Sequence, residues 1–279
     1  MLDKVQVQRL EKTALQLRRN VIEMTHIANS GHPGGSCSLA DIMTYLYFHR
    51  MHYRTDDPKW ISRDRLVLSK GHAAPILYAA LAEAGFFPRS EMAYLRKIDH
   101  LLQGHPCIHI PGVDGTTGSL GLGLSLSVGM ALSARIRKDN YRVTTIVGDG
   151  ESDEGQIWEA ALCAASYNLS NMTVVVDRNR YQNDGETESI LRLEPVADKW
   201  RAFGWNVIEI DGHDFQQIDD AFLRSDDYTQ GPTCIVANTI KGKGFQYLYN
   251  QPSLHYTAPN DQQYAAALNE VPGTIGINS

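Results

Sequence analysis

The stretch GDGESDEGQIWEA, residues 148–160, decides the fold. It follows RVTTIV (142–147), a run dominated by β-branched residues that predicts a strand. A helical pattern, EGQIWEAALCAASYN (154–168), begins a few residues later. One carboxylate, Asp149, thus sits between two glycines where a strand gives way to a helix. Taken alone, a Gly-Asp-Gly of this kind reads as a plain turn.

The pattern repeats on either side. DRLVLS (64–69), MTVVVD (172–177), NVIEI (206–210) and TCIVANT (233–239) read as further strands. Helical patterns separate them: LQLRRNVIEMTHIA (15–28), LADIMTYLYFH (39–49), AAPILYAALAEAG (73–85), EPVADKWRAFG (194–204) and DFQQIDDAFLRS (214–225). The small-residue run SLGLGLSLSVGMALSARIR (119–137) suits a closely packed helix. Alternation of this kind predicts an α/β fold, an open, mostly parallel sheet with helices on both faces. With no repeat and no Pro-rich linker, residues 1–279 read as one domain with a long N-terminal helix and a loosely held tail, VPGTIGINS (271–279).

Composition narrows the function classes. An apolar fraction of 43% and a charged fraction of 21% are ordinary for a globular chain. A net charge of −6 disfavours nucleic acid as a partner. The charged N-terminal segment lacks the apolar core of a signal peptide, and no later run is long enough to span a bilayer. Cys37, Cys107, Cys163 and Cys234 form no Cys-x-x-Cys pair and read as free thiols in a reducing cytoplasm.

In open α/β sheets, ligands bind beyond the carboxyl ends of the strands. Asp149 lies at such an end, and a helix starting near Glu154 would aim its free N–H groups at an anion there. The next strand leads into VVVDRNRYQNDG (174–185), with Asn179 thirty positions after Asp149. If those strands are neighbours, a carboxylate and an amide oxygen converge as hard ligands for Mg²⁺ bridging two phosphates. The chain has no G-x-x-x-x-G-K-[ST] and no G-x-G-x-x-G after a strand. Three Gly-His pairs, at His32, His72 and His105, all sit in Gly/Pro/Ser-rich loops. His26, His49, His52, His100, His109 and His213 read as surface or core residues, and KGKG (241–244) as a solvated, mobile loop at least as readily as a phosphate contact.

Together GDGESDEGQIWEA and VVVDRNRYQNDG resemble the thiamine diphosphate signature. ANSGHPGGSCSLADI (28–42), LSKGHAAPILYA (68–79), GHPCIHIPGVDGTTGSLGLGLS (104–125) and TIKGKGF (239–245) followed by His255 resemble transketolase motifs, in transketolase order. The resemblance runs from about residue 10 to 268, and it covers only the first domain of the usual protein. It implies the diphosphate-binding N-terminal subunit of a split transketolase. That subunit would be paired with a C-terminal subunit that binds the aminopyrimidine ring and supplies an activating glutamate. A two-plus-two assembly and sugar phosphate substrates follow.

Residue by residue, the resemblance implies Asp149, Asn179 and the Tyr181 carbonyl as ligands of Mg²⁺, or of Ca²⁺ or Mn²⁺. Gly150, His72 and His255 would face the diphosphate, Gly118 and Leu120 the cofactor rings. His32, His105 and His255 would act on the sugar, and Glu154 would lie at the subunit contact beside the cofactor. Leu122, Asn183 and His109 depart from the residues usual in the family and leave the ketose open. Three readings compete with transketolase. One is another thiamine enzyme, such as deoxyxylulose-phosphate synthase or a 2-oxoacid dehydrogenase subunit. The second is a non-catalytic paralogue. The third is a Mg²⁺-dependent phosphate hydrolase.

Overall fold

The computed structural model describes residues 1–278. Five strands form one parallel sheet: β1 Arg65–Leu68, β2 Val143–Gly148, β3 Met172–Arg178, β4 Asn206–Asp211 and β5 Thr233–Asn238. Their order is β1-β2-β3-β5-β4. Each coincides with an expected strand. The α-helices are α1 Lys4–Ala28, α2 Pro33–Cys37, α3 Ala40–Tyr45, α4 Ala74–Ala84, α5 Leu122–Arg137, α6 Gly155–Ser166, α7 Thr187–Ile190, α8 Val196–Ala202, α9 Phe215–Asp227 and α10 Asp261–Glu270.

Side-chain alternation in the central strands builds a core on each face. Val175 of β3 and Ile146 of β2 point into the cluster formed with α1, α3, α4 and α9. Val174, Val176 and Val147 point the other way, into the cluster formed with α5, α6 and α8. Helices thus cover both faces, and every residue of β2 and β3 is buried, as a central parallel strand requires.

Local chemistry explains where the elements depart from expectation. α1 begins at Lys4, well before its apolar pattern, because Asp3 and Gln6 cap it reciprocally with two 2.8 Å bonds. α5 begins only at Leu122, after Gly121 turns the chain at φ 85°. The loop around His32 holds the short helix α2, opened by Pro33 at its first position. The tail expected to be loosely held is tied to α1 by a pair of bonds between Gln16 and the Ile275 backbone, at 2.8 and 2.9 Å, and Ile277 is buried.

Register then sets the site. β2 and β3 pair so that Gly148 lies opposite Asp177, and β3 and β5 so that Arg178 lies opposite Asn238. The loops leaving β2 and β3 therefore start side by side at one end of the sheet. Gly123 brings α5 onto the loop that follows β1: a Cβ there would sit 2.5 Å from Ser69 Oγ and 2.7 Å from its Cα.

A paired substitution tests this close approach. Overpacking costs about 1–3 kcal/mol, against the ~1 kcal/mol that an alanine gains over glycine in a helix. Gly123→Ala should therefore lower the urea midpoint. Gly129→Ala, in the same helix with nothing within 4 Å of the new methyl, should raise it. A higher midpoint for Gly123→Ala would contradict the packing described.

Candidate functional site

Asp149 follows β2 directly and is almost completely buried. Its Oδ1 accepts the Gly150 N–H at 2.9 Å. Its Oδ2 accepts from the Arg180 N–H at 2.5 Å and from Arg178 Nη1 at 3.1 Å. Burial first, and then the nearby Asp177 carboxylate, push Asp149 up to about 6, while Arg178 pulls the other way. Arg178 is itself buried and spans further: it donates to Thr187 Oγ1 at 2.7 Å and to Glu188 and Glu194 at 2.9 Å each. The strand end is thereby pinned to the segment that follows Gly185.

Asn179 donates its amide nitrogen to Asp177 Oδ2 at 3.0 Å, which leaves Oδ1 as the outward atom, 3.1 Å from the Tyr181 N–H. Asp177 is fully satisfied by Lys70 Nζ at 2.6 Å, Ser38 Oγ at 2.7 Å, Asn179 and Thr239 Oγ1. Burial alone would raise its pKa, and Lys70 together with the Thr239 and Ser38 hydroxyls more than offsets that, so it stays below the usual carboxylate range. Glu151 makes a second hub. It accepts from Ser69 Oγ at 2.5 Å and from the N–H groups of Gly121 and Gly148 at 2.9 Å each, and so joins three loops.

Across from Asp149, three imidazoles form a triangle. Ring centroids of His32, His72 and His255 lie 5.2–5.4 Å apart. Desolvation, then neighbouring cations, lower His32 to about 4 and His255 to about 3, and hold His72 well below its ordinary value. Lys241 Nζ donates to His255 Nδ1 at 2.8 Å and to the Gln182 carbonyl at 3.2 Å. Burial, with Lys70 adding to it, lowers Lys241 to about 8. His32 Nδ1 and Gln182 Oε1 are buried without a hydrogen-bond partner among the described residues.

These groups enclose a cavity of about 340 Å³. Asp149, Gly150, Asn179, Tyr181, His32, His72, His255, Gly118 and Leu120 all line it, so the sequence brings nine expected residues to one place. Gly118 backs onto His105, whose ring carbon lies 3.1 Å from where a Cβ would stand; His105 itself is exposed and does not line the cavity. Glu154 is exposed at the start of α6 and does not line the cavity, a place open to a subunit contact. A 3-10 turn at Gly150–Asp153 turns Glu151 inward instead. The Gly150 N–H, expected to face a diphosphate, is taken by Asp149.

KGKG is not a solvated loop. Lys241 is 1% exposed and faces the cavity. Lys70, Glu151 and Arg178 are the residues that reading by motif missed, and Lys241 is the one it left open between a phosphate contact and a solvated loop. Of the departures, Asn183 lines the cavity, Leu122 is exposed at the start of α5, and His109 lines a separate, larger concavity of about 900 Å³. That concavity holds Arg63 and Arg65, both already paired with Asp114, and none of the imidazole triangle.

Among the described residues no group of three His, Cys, Asp or Glu side chains is placed to hold a metal ion. The oxygen set of Asp149, Asn179 Oδ1 and the Tyr181 carbonyl fits a hard cation whose remaining ligands come from elsewhere. Two lysines and three uncharged imidazoles facing a void fit an anion.

Arg178 is the strut of the Asp149 corner. Arg178→Met should cost about 3 kcal/mol in denaturant unfolding, the scale for removing one partner of a buried pair. It should also open the segment after Gly185 to proteases. Arg178→Lys should recover part of both. A Met variant as stable and as resistant as the parent would remove Arg178 from this role.

Residues 10–273 match the family model described as transketolase, thiamine diphosphate binding domain. An apulose-4-phosphate transketolase subunit of Phocaeicola vulgatus is 41% identical over 96% of this chain and 95% of its own length. The 6-deoxy-6-sulfo-D-fructose transketolase subunit of a Clostridium species is 42% identical over 94% of this chain and 96% of its own. Human transketolase is 42% identical over 91% of this chain, but only 40% of its own length is matched. The crystal structure of transketolase from Campylobacter jejuni superposes with a TM-score of 0.91 at 29% identity, over 97% of this chain and 44% of that one. No helix among the described residues is long and apolar enough to cross a membrane. The chain belongs to the transketolase family, in which it corresponds to the thiamine diphosphate binding domain.

Proposed function

We propose that this chain is the cofactor-binding subunit of a two-chain transketolase. It would move a two-carbon ketol unit from a ketose phosphate to an aldose phosphate, in complex with a pyrimidine-binding subunit. The observation that carries the proposal is the cavity itself, with an oxygen donor set on one wall and the His32–His72–His255 triangle with Lys241 on the other.

Asp149, Asn179 Oδ1 and the Tyr181 carbonyl would hold Mg²⁺, with Ca²⁺ or Mn²⁺ acceptable to the same oxygens. His72, His255 and Lys241 would bind the diphosphate. Its negative charge beside them would bring their lowered pKa values back toward ordinary ones. Bound thiamine diphosphate supplies the electron sink that cleaving a ketose beside its carbonyl requires. His32, with its free Nδ1, and His105 would take protons from sugar hydroxyls and return them. Gly118 and Leu120 would line the rings.

The two relatives matched over nearly their whole length are named as transketolase subunits, which supports a partner chain. Leu122, Leu126 and Ile136 on α5 and Leu162 on α6 are exposed and would serve self-association into a two-plus-two assembly. The same two relatives are named for apulose 4-phosphate and 6-deoxy-6-sulfo-D-fructose, so a specialised anionic sugar is the second reading beside the pentose phosphates.

The test is an assay of ketol transfer with Mg²⁺ and thiamine diphosphate, with and without a pyrimidine-binding transketolase subunit, over pentose, branched and sulfonated donors. Activity should appear only with both chains. His32→Ala and His105→Ala should lower turnover by about 10²–10⁴-fold at nearly unchanged cofactor affinity, while His72→Ala and Asp149→Ala weaken the cofactor itself. Full activity from the isolated chain, or none with the partner on any ketose, would overturn the proposal.

A further inference from the structure

One buried ionic chain lies outside the cavity and is unused by the site described above. Arg18 of α1 clamps Asp41 of α3 with Nη1 at 3.0 Å and Nη2 at 2.5 Å. Asp41 Oδ2 also receives His213 Nδ1 at 2.7 Å. The other ring nitrogen, His213 Nε2, accepts the Ile240 N–H at 2.9 Å. That last bond needs Nε2 unprotonated, so the ring carries its proton on Nδ1 and gives it to Asp41. Burial alone would raise the Asp41 pKa; Arg18 and His213 more than offset this and keep it ionised.

The chain closes on the loop after β5 from two sides. His213 holds it at Ile240, and Arg18 Nε donates to the Lys243 carbonyl at 3.1 Å. The contact is tight: a Cβ on Gly244 would stand 2.7 Å from Arg18 Cδ. Between the two anchors is Lys241, whose ammonium reaches His255. None of Arg18, Asp41 and His213 lines the cavity. Burying such charges is weak as a source of stability, since apolar residues of the same volume often serve as well or better. What a fixed network of directional bonds does provide is position.

We infer that Arg18, Asp41 and His213 form a positioning network that holds the Lys241 ammonium at the anion-binding end of the cavity. The inference rests on reading that cavity as a diphosphate site. Lysine alone, on a flexible stem, would lose its placement if Ile240 and Lys243 were released.

A double-mutant cycle tests it, with inorganic pyrophosphate and Mg²⁺ titrated calorimetrically into the full chain. Lys241→Gln should lower affinity at least about tenfold, the scale of a lost charge-assisted bond. His213→Leu should lower it several-fold in the parent and not at all in the Lys241→Gln background, although it lowers the melting temperature equally in both. His213→Gln, whose amide oxygen can accept the Ile240 N–H, should recover part of the affinity. Should His213→Leu fail to fold, Asp41→Asn takes its place with the same expected outcomes. An unchanged affinity for the His213 variants, or the same loss in both backgrounds, would overturn the inference and leave the proposed function standing. A parent chain that does not bind pyrophosphate would overturn both.

Discussion

Asp177, wholly buried at the end of β3, is the point on which the site depends. Four loops converge on its two oxygens. Ser38 comes from the segment around His32, Lys70 from the loop after β1, Asn179 from the loop after β3 and Thr239 from the loop after β5. A carboxylate at that depth needs a counter-charge, and Lys70 supplies it while also donating to the Gly35 carbonyl at 3.1 Å. One ion pair thus gathers the elements that carry His32, His72, Asn179 and Lys241. The sheet register makes this possible by starting the β2 and β3 loops side by side.

The same arrangement leaves the site electrically unfinished. Its interior charges pair off at Asp177 and at the Arg178–Asp149 contact, yet Lys241 finds only an imidazole and a carbonyl. Packed beside cations and out of water, the imidazoles stay neutral. Such a pocket is organised in advance for an anion, because the donors are already in place and little ordering is left for binding to supply.

Much of this was legible in the sequence because it rests on local patterns. Runs such as MTVVVD mark strands, and Gly-Asp-Gly at a strand end marks a turn beside a helix. The residues that escaped are those whose environment is set by distant contacts. Lys241, in Lys-Gly-Lys-Gly, looks solvated; it is buried because Gly34 and His213, remote in sequence, bond the backbone on either side of it and the Asn250 N–H bonds its own carbonyl. Choosing between Glu151 and Glu154 needs the 3-10 turn that points one inward and leaves the other exposed. Arg178 reads as one more charge in DRNR, and only the β2–β3 pairing puts it against Asp149. His213 reads as a bland histidine for the same reason, since Asp41 lies 172 positions away.

A diphosphate accepted by Lys241 and the neutral imidazoles beside it would change the protonation of the chain. Counting protons tests it most directly. Thiamine diphosphate with Mg²⁺ is titrated into the chain at pH 8 in two buffers of different ionisation enthalpy. Lys241, lowered to about 8 in the free chain, is half protonated there, and the arriving anion raises it. The expected result is net uptake of about half a proton or more per site, seen as an apparent enthalpy that depends on the buffer. Binding that is independent of buffer, or that releases protons, would contradict the claim.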